Sequence, residues 1–410
     1  MQDRELYRQI LGITAPWSVS RVELDVAQGR VDIWVEHEPR ARWACPHCQH
    51  ELGVRDHAEE RVWRHLDTCQ LQTLLHARIP RVDCPEHGVA QVKVPWAEAR
   101  SRFTLLMERF VIDVLQQCAT ISGARRILRL SWDEVHGVMQ RAVARGLARK
   151  QPRELLAIGV DEKAHRKGHK YLTIVSDHDA STVEYVAEGR TKESLAGFYA
   201  SLTPAQLAGV QIVAMDMWEP YVQATRDQVP DAEAKIVFDR FHIMKHLCEA
   251  VDRVRRRENR ELTAEGDTTL QRSRYLWLYN EENVPVQHQE RFAALQRLSW
   301  LKSARAWALK ESLRPLWNYR RVGWARRLFA SWYAWAIRSR LEPMRRVARM
   351  IRDHLEQVLN FCRHGVTNAT AEGLNSRITA IKSKACGFRT PESFKTAIYF
   401  YCGGLDLYPR

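Results

Sequence analysis

The chain has 410 residues, 45% hydrophobic and 27% charged, the balance of a globular protein with room for two or three domains. No apolar run approaches the roughly 18–20 residues that cross a bilayer, and the charged opening MQDRELYRQILG has no signal-peptide core, so a cytoplasmic location is expected. Lys plus Arg (63) exceed Asp plus Glu (49) by 14 and the pI is about 9.5, which points to a polyanionic partner, usually nucleic acid; an inert basic surface is the plain alternative.

Residues 19–36 alternate apolar and polar positions around Gln28-Gly29, the pattern of a β-hairpin. Cys45-Pro-His-Cys48 follows, and Cys84-Pro-Glu-His87-Gly88 repeats its shape after strand-like segments near 71–82. Two such knuckles joined by small β elements describe a zinc ribbon. Cys45, Cys48, Cys84 and His87 supply the four tetrahedral S/N ligands that structural zinc takes, two from each tight turn. A redox C-x-x-C is the alternative, but no βαβ pattern surrounds it. His47, His50, His57 and Cys69 are nearby residues expected to be surface or packed side chains.

Residues 102–146 read as three helices: Thr104–Gln117, Ser122–Leu130 with Ser122 as its cap, and Trp132–Gly146 capped by Ser131. Two short helices joined by a tight turn make a helix-turn-helix; a three-helix pack that never meets DNA is the plainer possibility. In the DNA reading, Arg125, Arg126 and Arg129 meet phosphates while His136 and Gln140 reach bases.

After a polar link at 147–155 the pattern changes. Residues 155–162 form an apolar run ending in Asp161 and Glu162. Strand-like runs recur at 170–176, 181–187, 211–216 and 234–239, with helical stretches at 192–202 and 220–228. Three strands followed by alternating helices and strands is the order of a ribonuclease H-like α/β core. From Met244 to about Val366 the chain is helical throughout and rich in tryptophan, with arginine clusters at 253–260 and 320–327. It reads as an inserted bundle with mostly core tryptophans, some arginines lining a nucleic-acid groove.

Asn368 to Ile378 opens one more helix, with Asn368 or Thr370 as its cap and Leu374, Ile378 and Ile381 as its apolar face. Glu372 sits in its first turn with Asn375 one turn on. Asp161 and Asp216 close two strands that neighbour each other in a ribonuclease H-like sheet, and this helix can bring Glu372 to them. Three converging carboxylates repel and need cations; hard Mg²⁺ or Mn²⁺ fits oxygen ligands. Two such ions roughly 4 Å apart clamp a phosphodiester. Taken singly, each of these acids is more often a cap or turn residue.

The chain resembles the DDE-type transposases of bacterial insertion sequences, specifically the ISL-three family. The resemblance rests on the two knuckles, the helix-turn-helix, Gly159-Val-Asp161-Glu162, Met215-Asp216-Met-Trp218, Phe238-Asp239-Arg-Phe241-His242, Asn368-Ala-Thr-Ala-Glu372-Gly-Leu-Asn375, Ile381-Lys-Ser-Lys and Ala385-Cys-Gly387-Phe-Arg. It implies a multidomain α+β protein: a zinc-ribbon-like domain (1–100), a helix-turn-helix (101–150), and a ribonuclease H-like core (151–245 and 366–410) interrupted by an all-helical insertion (246–365). It implies Asp161, Asp216 and Glu372 as the catalytic, metal-binding triad, with His242 of Asp239-x-x-His242 near the scissile phosphate. Two Mg²⁺ or Mn²⁺ ions, one structural Zn²⁺, double-stranded DNA and a homodimer complete the expectation. Lys163, His165, Lys170 and Lys382 are expected to hold the DNA backbone, Glu162 to be structural, and Asn375 to adjoin Glu372 or DNA. His87 stands where the family often has cysteine. A DNA-binding regulator without activity and a structure-specific nuclease are the alternatives; retention of all three carboxylates weighs against the first.

Overall fold

The computed structural model describes residues 3–118, 120–166, 170–365 and 369–410. They divide into two compact units: one of Met1–Gln151, Ser383–Cys386 and Tyr399–Arg410, the other of Pro152–Lys382 and Gly387–Ile398.

In the first unit a short helix α1 (Asp3–Ile10) precedes the hairpin β1 (Trp17–Asp25) and β2 (Arg30–His37). The strands pair antiparallel from Asp25↔Arg30 outward, and the turn closes at Gly29, whose φ of +66° favours glycine. The small pair β3 (Trp43–Ala44) and β4 (Glu51–Leu52) carries the first knuckle. Strands β5 (Asp56–Arg64), β6 (Gln72–Cys84) and β7 (Gly88–Gln91) complete a sheet of order β1-β2-β6-β5, with β7 also on β6. Strand β2 runs parallel to β6, and the remaining pairs are antiparallel. Alternation puts Ile33, Leu75 and Ile79 inward, where they pack with Trp17, Trp63 and Trp96.

Three helices follow: α2 (Leu105–Cys118), α3 (Ile121–Leu128) and α4 (Trp132–Arg149). Thr120, not Ser122, caps α3: its hydroxyl accepts the Gly123 amide at 3.1 Å, and Ser122 lies inside the helix. Ser131 caps α4 as expected, in a reciprocal box with Glu134. Helix α4 runs on to Arg149, which shortens the expected link. The helices enclose a core of Met107, Val111, Leu115, Leu128, Val135 and Met139, which Phe400 and Leu407 complete. Glu108, 1% exposed, is neutralised there by Arg141 (Nε to Oε1, 2.9 Å) and Arg145 (Nη2 to Oε2, 2.9 Å).

The second unit is built on a mixed sheet: β8 (Ala157–Arg166), β9 (Lys170–Asp177), β10 (Thr182–Glu188), β11 (Ile212–Met215) and β12 (Ile236–Phe238), in the order β10-β9-β8-β11-β12. The first three pair antiparallel, and β11 runs parallel to both β8 and β12. Strand β8 does not end at Asp161 and Glu162, as the sequence pattern had it; it continues four residues to Arg166 against β9. Gly159 in β8 leaves room for His178: a Cβ there would lie 2.2 Å from the imidazole Nε2.

Helices α5 (Lys192–Ala200), α6 (Pro204–Gly209), α7 (Glu219–Gln228) and α8 (Ala232–Lys235) connect the strands. The expected strand at 234–239 is shorter, because Ala234 and Lys235 close α8. Helix α9 (Arg240–Ala264), capped by Asp239, leads into α10 (Val286–Arg297), α11 (Lys302–Leu313), α12 (Val322–Arg338), α13 (Glu342–Asp353) and α14 (Leu355–His364). Their apolar faces share one core with the sheet: Phe238, Leu247 and Trp277 belong to the same cluster as Trp307 and Trp332. Trp300, Trp324 and Trp335 are exposed. Helix α15 (Ala369–Lys384) and α16 (Pro391–Cys402) finish the described chain. Asn368 lies outside the described residues, and Thr370 falls inside the first turn of α15.

Candidate active site

The ladder between β8 and β11 ends at Gly159↔Ala214. Two residues further along each strand stand Asp161 and Asp216. This is the crevice beyond the carboxyl end of a parallel strand, where open α/β sheets bind ligands. The Glu162 amide donates to Asp161 Oδ1 (2.6 Å), and the Met217 amide donates to Asp216 Oδ1 (2.6 Å). Each carboxylate thus has one oxygen fixed by its own main chain.

The second oxygens are held by different elements. Asn375 on α15 donates its side-chain amide to Asp161 Oδ2. His242, in the first turn of α9, has Nδ1 3.1 Å from Asp216 Oδ2, and its Nε2 is 3.9 Å from Asp239 Oδ2. Burial raises the Asp161 carboxyl above its usual value, outweighing the Glu162 amide and Asn375. Burial pushes Asp216 the same way, but the hydrogen bond and charge of His242 outweigh it and leave the carboxyl below its usual value. His242 is raised by its bond to Asp216 against the opposing effect of burial.

Glu372 is exposed, one helical turn ahead of Asn375. Helix α15 is tied to β8 twice more: Lys163 Nζ donates to the Asn375 carbonyl (3.4 Å) and Lys382 Nζ to the Ala164 carbonyl (2.6 Å). Two expected DNA-backbone lysines therefore bond main chain, while Lys170 is exposed. His165 is corrected outright: it is 4% exposed and stacks on Phe394 at 5.9 Å. Glu162 pairs with Arg190 at 2.9 Å. Among the described residues, one group of three or more His, Cys, Asp or Glu has all its ligand atoms within 4.8 Å: Cys45, Cys48, Cys84 and His87. Asp161, Asp216 and Glu372 are not drawn to that spacing; Asn375 bonds Asp161 Oδ2 and His242 bonds Asp216 Oδ2.

The quartet in the first unit has the donor set of a structural zinc site. Cys48 Sγ lies 3.6 Å from Cys84 Sγ, and Cys84 Sγ lies 3.6 Å from His87 Nδ1. His47 stacks on His87 at 5.1 Å, and His57 bonds His37 (Nε2 to Nε2, 2.8 Å). In the helical part, Arg125, Arg126 and Gln140 are exposed. Arg129 is also exposed, but its guanidinium donates to the Gln70 carbonyl (3.1 Å) and side chain (3.3 Å). His136 is half-buried and stacks on Trp132 at 4.6 Å.

A family model for DDE transposases of the ISL3 family, described as "Transposase", matches residues 158–398, more than half of the chain. The chain belongs to the ISL3 family of transposases. Two further models match this transposase in order along the chain: the zinc-finger of transposase IS204/IS1001/IS1096/IS1165 over residues 41–87 and the helix-turn-helix domain of transposase family ISL3 over residues 92–143. Similar relatives include the transposase for insertion sequence element IS1001 of Bordetella parapertussis, 27% identical over 399 residues and covering 96% of this chain and 97% of the relative. The transposase for insertion sequence element IS1557 of Mycobacterium tuberculosis is 27% identical over 427 residues, covering 96% of this chain and 94% of the relative. The DDE match opens at Ile158, just ahead of Asp161, and the zinc-finger match closes on His87 itself. No helix of the described residues is long and apolar enough to cross a membrane.

One part of the site had no sequence signal. Arg190 lies in no motif, yet it contacts Glu162, Tyr171 and Trp218, residues far apart along the chain. An aromatic at position 218, two residues past an acid at a strand exit, was the one available hint.

Proposed function

We propose that the chain is a DDE transposase that binds the terminal inverted repeats of an insertion sequence, hydrolyses the phosphodiester at each end, and joins the freed 3′-OH to target DNA. The observation that carries this reading is the Asp161–Asn375 bond, which brings the helix bearing Glu372 to the crevice where Asp161 and Asp216 lie. The order of three antiparallel strands followed by two parallel ones supports a ribonuclease H-like core spanning 151–245 and 366–410, with 246–365 as a helical insertion. Residues 1–100 and 101–150 are then the ribbon and the DNA-reading helices. The chain acts in the cytoplasm, on the nucleoid. Because two element ends must be joined to one target, the working form is a homodimer.

Asp161, Asp216 and Glu372 are the residues that hold Mg²⁺ or Mn²⁺. Their all-oxygen donor set suits hard cations, and Asp161, a buried carboxylate destabilised in its charged form, gains most from a nearby positive charge. Bound there by these carboxylates, such cations would supply Lewis-acid activation of the nucleophile and charge neutralisation at the leaving oxygen. The chain's own groups supply position and charge. Asn375 orients Asp161. His242 donates from Nδ1 to Asp216 Oδ2, which orients that carboxylate and favours the protonated imidazole beside the phosphodiester. Arg125 and Arg126 hold phosphates, with Arg129 beside them, while Gln140 and His136 face base edges. Exposed Lys170 is the lysine placed to meet the DNA backbone, while Lys163 and Lys382 tie α15 to β8 and add positive charge beside the site.

The test uses oligonucleotides carrying one element end, with Mg²⁺ or Mn²⁺. Asp216→Asn is expected to abolish cleavage and joining while end binding persists. Full activity in that variant overturns the reading. Hydrolysis by the wild-type protein with no joined product reassigns the chain as a nuclease.

A further inference from the structure

Beyond Gly159↔Ala214 no main-chain ladder joins β8 to β11; each is held by its outer neighbour, β9 or β12, and side chains bridge the gap between them. Asn375 and His242 each hold one carboxylate from outside the sheet, but neither bonds both. Arg190, in the connection between β10 and α5, spans the gap. Its Nη1 donates to Glu162 Oε1 at 2.9 Å, on the residue next to Asp161. Its guanidinium carbon lies 4.1 Å from the ring centroid of Trp218, two residues past Asp216, and 4.6 Å from that of Tyr171 on β9. Trp218 Nε1 donates in return to the Arg190 carbonyl at 2.9 Å. The guanidinium thus bonds the β8 segment and lies over the indole ring of the segment leaving β11. Arginine alone among the cationic side chains combines a fork of donors with a stacking face.

We propose that Arg190 is a positioning residue for the metal-binding carboxylates: by joining Glu162 to Trp218 it fixes the distance between Asp161 and Asp216. It touches neither carboxylate and acts through the residues beside them. This inference rests on the reading of Asp161 and Asp216 as metal ligands. Losing the clamp leaves both ligands present but loosely spaced, so metal binding weakens before DNA binding does. Outer partners of metal ligands typically contribute about 10- to 100-fold in metal affinity.

The experiment is a Mn²⁺ titration of the full-length zinc-loaded protein, followed by the electron paramagnetic resonance of free Mn²⁺, with melting temperature and end binding measured in parallel. Arg190→Gln is expected to weaken Mn²⁺ binding about tenfold or more, with end binding unchanged and strand transfer recovering at high Mn²⁺. Glu162→Gln, which removes the same ion pair and no aromatic packing, is expected to do likewise, and the double variant to be no worse than Arg190→Gln. Arg153→Gln breaks other ion pairs of this unit, between a half-exposed guanidinium and the buried carboxylates of Asp177 and Glu184, and is expected to leave Mn²⁺ binding in the folded variant as in the wild type. Wild-type Mn²⁺ affinity in a folded Arg190→Gln overturns the inference; if that variant does not fold, wild-type affinity in Glu162→Gln overturns it. Asp161→Asn and Asp216→Asn separate the two claims: if they bind Mn²⁺ normally, the metal site itself is misplaced, whereas their loss beside an unaffected Arg190→Gln removes Arg190 alone.

Discussion

Asn375 donates its side-chain amide to Asp161, and the two residues lie 214 positions apart. The bond joins a helix to a strand at the level of the crevice, one turn from Glu372. Replacing Asn375 with Ala removes the tether and leaves Asp161 Oδ2 without it. Strand transfer is expected to fall about 10- to 100-fold while end binding holds, since about 1 Å of misplacement carries that cost. Asn375→Asp, isosteric but anionic, sets a second negative charge against Asp161 and is expected to lose more than Asn375→Ala. Single-turnover cleavage rates beside gel-shift affinities decide it.

The four knuckle ligands predict one zinc per chain by metal analysis. Removal by a strong chelator, or Cys48→Ser, is expected to lower the melting temperature and release the fold between β3 and β7. His87→Cys restores an all-thiolate set and is expected to keep zinc, whereas His87→Ala lowers retention. A protein that melts identically with and without metal contradicts the assignment.

His65 is buried beside Thr104, with Nδ1 2.9 Å from the hydroxyl, and burial lowers its imidazole from 6.5 to about 4. In the native state it stays neutral where the unfolded chain takes a proton. Between pH 6.5 and about 4 the unfolded state therefore binds more protons, and stability falls as pH falls, by up to about 3 kcal/mol across the window. His65→Gln is expected to flatten this slope. Because acid also strips zinc, wild type and variant are compared at equal zinc occupancy over pH 7 to 5.

Glu108 faces Arg141 and Arg145 in the interior of the helical part and also accepts the Ser101 hydroxyl at 2.8 Å. Glu108→Ala takes the buried carboxylate from half-exposed Arg141 and leaves Arg145 with Glu98 as its one carboxylate, and is expected to cost about 1.5–3 kcal/mol in denaturant unfolding. Glu108→Gln keeps one acceptor oxygen but turns an NH2 toward an arginine donor and removes the charge; because it fills the same space it is expected to lose less than Glu108→Ala.

Arg125 and Arg126 point into solvent from α3, whereas Arg129 already bonds Gln70. Arg125→Ala and Arg126→Ala are each expected to reduce the salt slope of end binding by about one. Arg129→Ala is expected to change it less. Gln140→Ala is expected to relax sequence preference while leaving non-specific affinity near its wild-type value.

Much of this architecture could be read from residue patterns, and the exceptions have physical causes. The Gln28-Gly29 turn, the Ser131 cap and the zinc quartet depend on local chemistry that a few neighbouring residues carry. The strand bearing Asp161 is read too short because the usual apolar-in, polar-out signal is missing at its end: over Ala164, His165 and Arg166 burial still alternates, but the buried position holds histidine and alanine is exposed. The α3 cap fell between two hydroxyls two residues apart, and only the backbone at Thr120 is extended. Asp216 was placed well, because apolar β11 stops right before it. The bonds that bind the site together, Asn375 to Asp161 and Arg190 to Glu162, join distant segments and leave no local trace.

Phe400 and Leu407 fill the core of the three helices that begin near residue 105, and Tyr401 donates its hydroxyl to the Leu115 carbonyl across 286 residues of sequence. The order of synthesis therefore matters. A nascent or prematurely stopped chain can carry every residue of the helix-turn-helix and still lack the side chains that seal it. The three helices close their core only once residues 399–407 have been made, so a chain cut before Phe400 is expected to hold them loosely.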